Sequence, residues 1–559
     1  MNTTSAILTA LAWRILIAFS TRTFFQPDEF FQSLEIAHRA VFGFGHLTWE
    51  WTTSPPIRSV FFPSLYIPVY WLLKVTGLDK GKLLIIAPKI LQGAIASITD
   101  ISTRELARQL LGDRYVDTAY FLSLTSFFHI LALSRTLSNS VETSLTTAAL
   151  CFWPWHSLDD HRRLRLAFAL AAISCLVRPT SAVLWAFLAV ELCLRSRSNK
   201  KCLEVLFFSG IVTALIAAGF LIIIDSLYFG RVTFTPLNFV RTNLSSVSLF
   251  YGQAPWHYYL TQGLPILLNV CLLSFVFGSY DIFNRGLRHQ RTLLALIIWT
   301  IFIYSLLGHK EWRFLHPILP VMIILSAKSL VDSSITSKVA RNDTGQSKPL
   351  SSSVKSKSVP ISLKTKAICA LGILPGLYVM WFHGRAQISV MSYLRSLDPS
   401  NLHSVGFLMP CHSTPWQAYL HRPEFEEGLL WALSCEPPLH GVNTSTYWDQ
   451  SDIFYASPLT YLKQNFPSFV NPSFPPSPYP STSPGALPSE NNKWDHRWPS
   501  RLVFFSALIE DEGEGREVEG YLRELGYDEV WNARNGFEED WRRRGGVKVW
   551  QWQAGKRAS

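Results

Sequence analysis

The stretch VLFFSGIVTALIAAGFLIII, Val205–Ile224, runs for twenty residues without a charge. A helix of that length spans the roughly 30 Å hydrocarbon core of a bilayer. Eleven further apolar segments lie around it, at 6–20, 60–77, 83–98, 118–133, 141–155, 164–177, 181–194, 263–280, 292–308, 314–327 and 367–382. Several are shorter than the ~17–25 residues of an ordinary span, so some of the helices must be broken or tilted. The composition agrees: 48% hydrophobic, 16% charged and a mean hydropathy of +0.17, where a soluble chain carries about a quarter of its residues charged. Twenty Trp, 37 Phe and 19 Tyr suit belts at the membrane interface. The chain reads as an α-helical polytopic membrane protein.

The net charge of +11 invites a nucleic-acid reading, but the basic residues sit in short connections at 101–114, 157–165, 195–201, 285–291 and 328–366. Positive-inside topology accounts for that placement better than phosphate tracking does. With those five connections in the cytosol the spans alternate consistently from 101 to 382. Segment 60–77, broken by Pro63 and Pro68, is the weakest span, which leaves about eleven crossings. Arg14 interrupts the first apolar run and no small-residue cleavage site follows it, so 6–20 reads as an uncleaved span. The membrane region covers 1–382, and 383–559 falls on the far side as a second domain. Short alternating runs at Val405–Met409, Arg501–Leu508 and Val547–Trp552, with a helical stretch near Glu517–Leu525, predict a small α/β fold there. The Ser- and Lys-rich stretch 331–366 reads as a flexible cytosolic loop, and the Pro/Ser-rich 466–500 as a disordered insertion.

This topology gathers the polar chemistry on the far side. Loop 21–59 opens with QPDEFFQSLEIAH, where Pro27 suits a first helical turn and Asp28 and Glu29 follow. Phe30, Phe31, Leu34, Ala37, Val41 and Phe42 recur at helical spacing, predicting an amphipathic helix along the membrane surface. The two acids equally suit the positive end of a helix, worth ~0.3–1 kcal/mol, or the general base of a poorly solvated site. The turn GHKEWRF, 308–314, crowds His309, Lys310, Glu311 and Arg313 between apolar runs; pairing of Glu311 leaves one cation and His309 free for a phosphate. Arg135 and Arg178 are lone arginines at span ends, better suited to anchoring than to binding. Cys411 and Cys435 share the far side and form a reasonable disulfide if that space is oxidising. The sequon at Asn443 is open to glycosylation, and that at Asn243 lies closer to the membrane. No His/Cys spacing suggests a metal.

Taken in order, QPDEFFQSLEIAH with LTWEW, SRTLSNSVET, LVRPTS, YFGRVTFTPLNF, PWHYYLTQGLP, HKEWRF and MPCHSTPW resemble the GPI mannosyltransferase 3 branch of glycosyltransferase family 22, from about residue 21 to 460. The resemblance implies a GT-C fold in the endoplasmic reticulum membrane, with a lumenal active site. It implies dolichyl phosphate mannose as donor and no cofactor or metal. The third, α1,2-linked mannose would pass to a glycosylphosphatidylinositol (GPI) precursor with inversion. Asp28 matches the family's first-loop acid and becomes the expected base, with Glu29 as the alternative; His309, Lys310 and Arg313 match the turn that faces the donor phosphate, and Arg178 is a further phosphate candidate. The competing expectations are a sister family 22 enzyme, acting on dolichol-linked oligosaccharide or adding the fourth GPI mannose, and a lipid or sugar transporter. A transporter would place charges near the midplane of repeated halves, and neither is visible here.

Overall fold

The computed structural model describes residues 1–245, 247–250, 252–342, 359–425, 428–438, 447–477 and 494–554. Among the described residues six helices are long and apolar enough to cross a membrane: Thr3–Ser20, Leu83–Leu111, Lys200–Phe229, Tyr259–Arg285, Trp312–Ser337 and Leu363–Ser396. Of the other six apolar segments, 292–308 lies in the 18-residue helix Arg288–Ser305, and the rest form shorter or broken helices. Segment 118–133 divides into Val116–Thr125 and a wide turn at His129–Leu133, and 60–77 divides into Phe61–Ser64 and Ile67–Thr76. The chain is a multi-pass membrane protein.

The helix Thr3–Ser20 packs along Leu83–Leu111. The two approach so closely that a Cβ on Gly93 would lie 2.9 Å from the Cα of Ile15. That contact buries Arg14 completely against Asp100, with Nε donating to Oδ2 at 2.6 Å and Nη2 to Oδ1 at 2.8 Å. Nη1 and Nη2 also donate to the carbonyls of His129 and Ser123. The arginine that interrupts the first apolar run is thus a fully satisfied buried charge. Replacing Asp100 by Ala would strand it, at a cost of about 3–5 kcal/mol. The expected result is a steep fall in membrane abundance and in melting temperature in detergent. Pairing Asp100→Leu with Arg14→Met is expected to restore both, because removal of an entire buried pair is close to neutral.

The far domain holds a five-stranded sheet of β1 (Val405–Leu408), β2 (Leu430–Ala432), β3 (Arg501–Phe505), β4 (Tyr527–Ala533) and β5 (Val547–Trp552), in the order β2-β1-β3-β5-β4. β2, β1 and β3 run parallel, while β5 is antiparallel to both β3 and β4. β1 and β3 are buried at every position. Side chains of β3 still alternate between faces: Val503 and Phe505 join the core shared with loop 21–59 and the helix Arg385–Ser396, whereas Leu502 and Phe504 face Val518 and Leu522 of the helix Gly515–Glu524. Both faces of β1 and β3 are covered, which removes the polar alternation of a half-exposed strand, whereas β4 at the sheet edge keeps exposed positions.

Three expectations are corrected. The apolar face of the first-loop helix (Phe30, Phe31, Leu34 and Ala37) does not lie on lipid; it packs into the core of the far domain, against Tyr419, Phe407 and Val549 among others. The loop expected from 331 begins later, because the helix Leu319–Asn342 continues through it with Val331 fully buried and Lys328 paired to Asp281 and Asp332; residues 343–358 lie outside the described residues. The ends of the Pro/Ser-rich segment are packed, not disordered: Val470, Phe474, Trp494 and Trp498 are buried, and the Trp498 indole donates to the Pro467 carbonyl at 2.7 Å. Its central part, 478–493, is outside the described residues.

Candidate active site

Where the span ends meet the far domain there is an open cavity of about 1750 Å³. Loop 21–59 forms one wall. Its entrance is pinned to the end of the Leu363–Ser396 span, where the Phe24 amide donates to the Gly384 carbonyl at 3.0 Å. Gly384 has φ +69°, and a Cβ there would lie 2.1 Å from the Phe24 carbonyl oxygen, so no other residue fits. The chain then turns at Pro27, whose carbonyl accepts from the amides of Phe30 and Phe31. That turn sends Asp28 and Glu29 in opposite directions.

Asp28 lines the cavity and its Oδ2 lies 2.6 Å from Arg313 Nη1. Glu29 does not line it. Its carboxylate is buried, accepts from the amides of Phe25 and Gln26, and pairs with Arg135 Nη1 at 3.1 Å. Of the two adjacent acids only Asp28 reaches the cavity, and Arg135, expected as an interfacial anchor, is buried against Glu29.

The turn 308–314 supplies the opposite wall. Arg313 joins two carboxylates, donating to Glu311 through Nε at 2.5 Å and Nη2 at 2.7 Å while its Nη1 meets Asp28. His309 is within hydrogen-bonding reach of two acceptors, the Gly252 carbonyl at Nδ1 (3.1 Å) and Glu311 Oε1 at Nε2 (3.2 Å). Only an imidazolium donates to both, and the bond to Glu311 raises the pKa of His309 against the opposing effect of burial. Burial works upward on Glu311 as well, but Arg313 and His309 outweigh it and hold the acid well below the usual carboxylate range. Lys310 is buried and donates only to carbonyls, those of Ala254 (2.7 Å) and Leu307. Arg178 also reaches the cavity, backed by Glu142 at 3.2 Å and Ser138 at 2.9 Å.

Three further charged residues of the wall, Glu50, Arg58 and Arg543, were not marked by the sequence. Arg58 donates to Glu50 Oε1 through Nε (2.9 Å) and Nη2 (2.6 Å), and Gln32 donates to Oε2 at 3.2 Å. The available signal was the arginine itself, on the side of the membrane where basic residues are sparse. Among the described residues five basic side chains (Arg58, Arg178, Lys310, Arg313 and Arg543) and three carboxylates (Asp28, Glu50 and Glu311) line the cavity, leaving it electropositive.

The far domain closes the cavity from above. Cys411 and Cys435 form a disulfide in its wall, with His412 beside them. With both sulfurs bonded to each other, the Cys411–His412–Cys435 group has no thiolate to offer a metal. Glu35 holds this roof in place. It is fully buried and accepts from the amides of His46 (2.8 Å), Gln417 (3.2 Å) and Ala418 (2.7 Å), tying the first loop to the segment after the disulfide. Burial pushes its carboxyl up to about 7 against the pull of those three donors. Asn243 lies on the cavity rim with its side chain on the Phe239 carbonyl; Asn443 is outside the described residues.

Residues 5–421 match the Alg9-like mannosyltransferase family. The chain belongs to this family. As an Alg9-like mannosyltransferase it is a membrane glycosyltransferase that takes sugar from a lipid-linked donor. GPI mannosyltransferase 3 of Yarrowia lipolytica is 35% identical over 554 residues, covering 98% of this chain and 96% of that one. GPI alpha-1,2-mannosyltransferase 3 of Mus musculus is 33% identical over 479 residues, covering 84% and 80%. ArnT from Cupriavidus metallidurans, solved bound to undecaprenyl phosphate, superposes with a TM-score of 0.59 at 12% identity over 99% of this chain and 98% of its own. At that identity the likeness establishes the fold, which is the GT-C fold expected from the sequence.

Proposed function

We propose that the chain transfers the third, α1,2-linked mannose from dolichyl phosphate mannose to a GPI precursor, at the lumenal face of the endoplasmic reticulum membrane, with inversion. The observation that carries this reading is the Asp28 carboxylate, held in an electropositive cavity 2.6 Å from Arg313 of the 308–314 turn. The curated relatives supply the substrate class.

Inversion at a β-linked mannosyl phosphate needs one base. Asp28 takes the proton from the acceptor 2-hydroxyl as that oxygen attacks the anomeric carbon, and the donor phosphate departs as an anion without protonation. Lys310, His309, Arg313 and Arg178 face that phosphate and stabilise the charge it gathers. Lys310 is free of carboxylate partners for the purpose, and Arg313 is shared with Asp28. A phosphate that engages Arg313 competes with Asp28 for the guanidinium, so donor binding and release of Asp28 toward the acceptor become one event. These side chains carry the leaving group without a cofactor.

The test supplies labelled dolichyl phosphate mannose to microsomes from cells lacking this activity and expressing the chain. Conversion of a two-mannose to a three-mannose GPI intermediate supports the reading; conversion of a dolichol-linked oligosaccharide instead would replace it with the sister reaction. A pH dependence follows from His309. Its pKa is raised above the usual 6.5, so the ring is charged below that raised value and loses its proton as pH climbs through it. Glu311 stays ionised throughout. Donor KM is expected to rise with pH above 6.5 by about tenfold, the worth of one charge-assisted hydrogen bond of ~1.5 kcal/mol. His309→Gln should flatten that rise, and an unchanged profile would remove His309 from the donor site.

A further inference from the structure

At the carboxyl ends of the parallel strands β1 and β2 a second pocket of about 430 Å³ adjoins the catalytic cavity and shares Phe31 and His412 with it. The carboxyl ends of parallel strands are where open α/β sheets collect ligands. Aromatic rings form its walls: Phe31 stands 4.6 Å from His412, Phe407 5.4 Å from Trp416, and His46 5.8 Å from both Trp416 and His412. His412 holds a left-handed backbone, φ +52°, which side chains other than glycine rarely adopt and which tends to mark binding sites. One polar group in this wall lacks a hydrogen-bond partner, and another has hydrogen bonds but no counter-charge. The Nδ1 of His46 has no hydrogen-bond partner although the residue is 5% exposed. Glu436 is 9% exposed, and among the described residues no basic side chain pairs with it.

The chemistry of a ligand follows from what these groups lack. An anion would meet Glu436, and an apolar group would leave His46 Nδ1 without a partner and Glu436 without a counter-charge. A neutral hydroxyl would leave the carboxylate without a counter-charge. Burial pushes Glu436 up to about 7 and depresses His46 and His412 to about 3 and 4, so both imidazoles are neutral and neither repels a cation. Aromatic faces around one buried carboxylate are complementary to an ammonium group.

We propose that this pocket binds a primary ammonium group carried by the acceptor glycolipid, away from the hydroxyl that receives mannose, and so selects the acceptor and sets its register. This rests on the acceptor assignment made under Proposed function. The pocket that Glu436 lines and the cavity that Asp28 lines share Phe31 and His412.

The test uses the full chain in membranes with the two-mannose acceptor, either intact or treated with acetic anhydride so that its amines are acetylated and uncharged. For the unaltered chain, acetylation should raise acceptor KM by roughly tenfold or more. Glu436→Gln, isosteric and uncharged, should raise acceptor KM for the intact acceptor to a similar degree and lose the distinction between the two acceptors, with donor KM unchanged. Trp416→Ala should act in the same direction. Equal use of both acceptors by the unaltered chain overturns the proposal, as does a Glu436→Gln enzyme that still discriminates. If the unaltered chain converts neither acceptor, the acceptor assignment itself falls.

Discussion

Asp28→Asn is expected to end mannose transfer while the chain remains folded and inserted. Loss of a positioned general base costs about 10²–10⁴ in rate, and asparagine keeps the shape of the side chain. The turn at Pro27 is closed by backbone bonds and does not depend on this carboxylate. Arg313 keeps its bidentate pair with Glu311, so no buried cation is stranded. Glu29→Gln is the contrasting substitution. It removes the charge that balances buried Arg135, although the amide oxygen can still accept from Phe25 and Gln26, so abundance should fall. Turnover by Asp28→Asn within a few-fold of the unaltered chain, at matched abundance, would exclude Asp28 as the base.

The second large effect is expected at Arg313. Its guanidinium holds Asp28 and Glu311 from one point on the cavity wall, where the proposal puts the donor phosphate. Arg313→Ala removes a preorganised cation from a developing anion, at a cost on the order of 10²–10³-fold in turnover. Donor KM should rise more than acceptor KM. Arg313→Lys should recover little, because an ammonium cannot hold two carboxylates in the forked geometry of a guanidinium. Measured in microsomes with both substrates varied, a rise confined to acceptor KM would move Arg313 out of the donor site.

Legibility in the sequence followed solvation. Asp28 and the 308–314 turn stood out because formal charges bordered by long apolar runs need a reason to be there. The same signal could not separate Asp28 from Glu29, adjacent acids whose directions are decided by the Pro27 turn and by Arg135, more than a hundred residues later. Glu50 and Arg58 passed as ordinary loop polarity, since nothing in their spacing announces that they pair across the cavity wall. Three of the five strands of the far domain, β1, β3 and β5, were legible as short runs, while β2 and β4 were not. The coverage of β1 and β3 on both faces was missed because it comes in part from the first loop folding onto the sheet. Composition misled at 466–500, where proline and serine outweighed Trp494 and Trp498 in the sequence although the two indoles decide the packing.

The cavity draws its wall from residue 26 at one extreme and Arg543 at the other, with the Cys411–Cys435 bond between them. During synthesis Asp28 emerges hundreds of residues before the far side of its enclosure exists. The wall is complete only when the chain's last stretch has folded back over its first loop, so the cavity is a product of the whole chain and not of its membrane part alone.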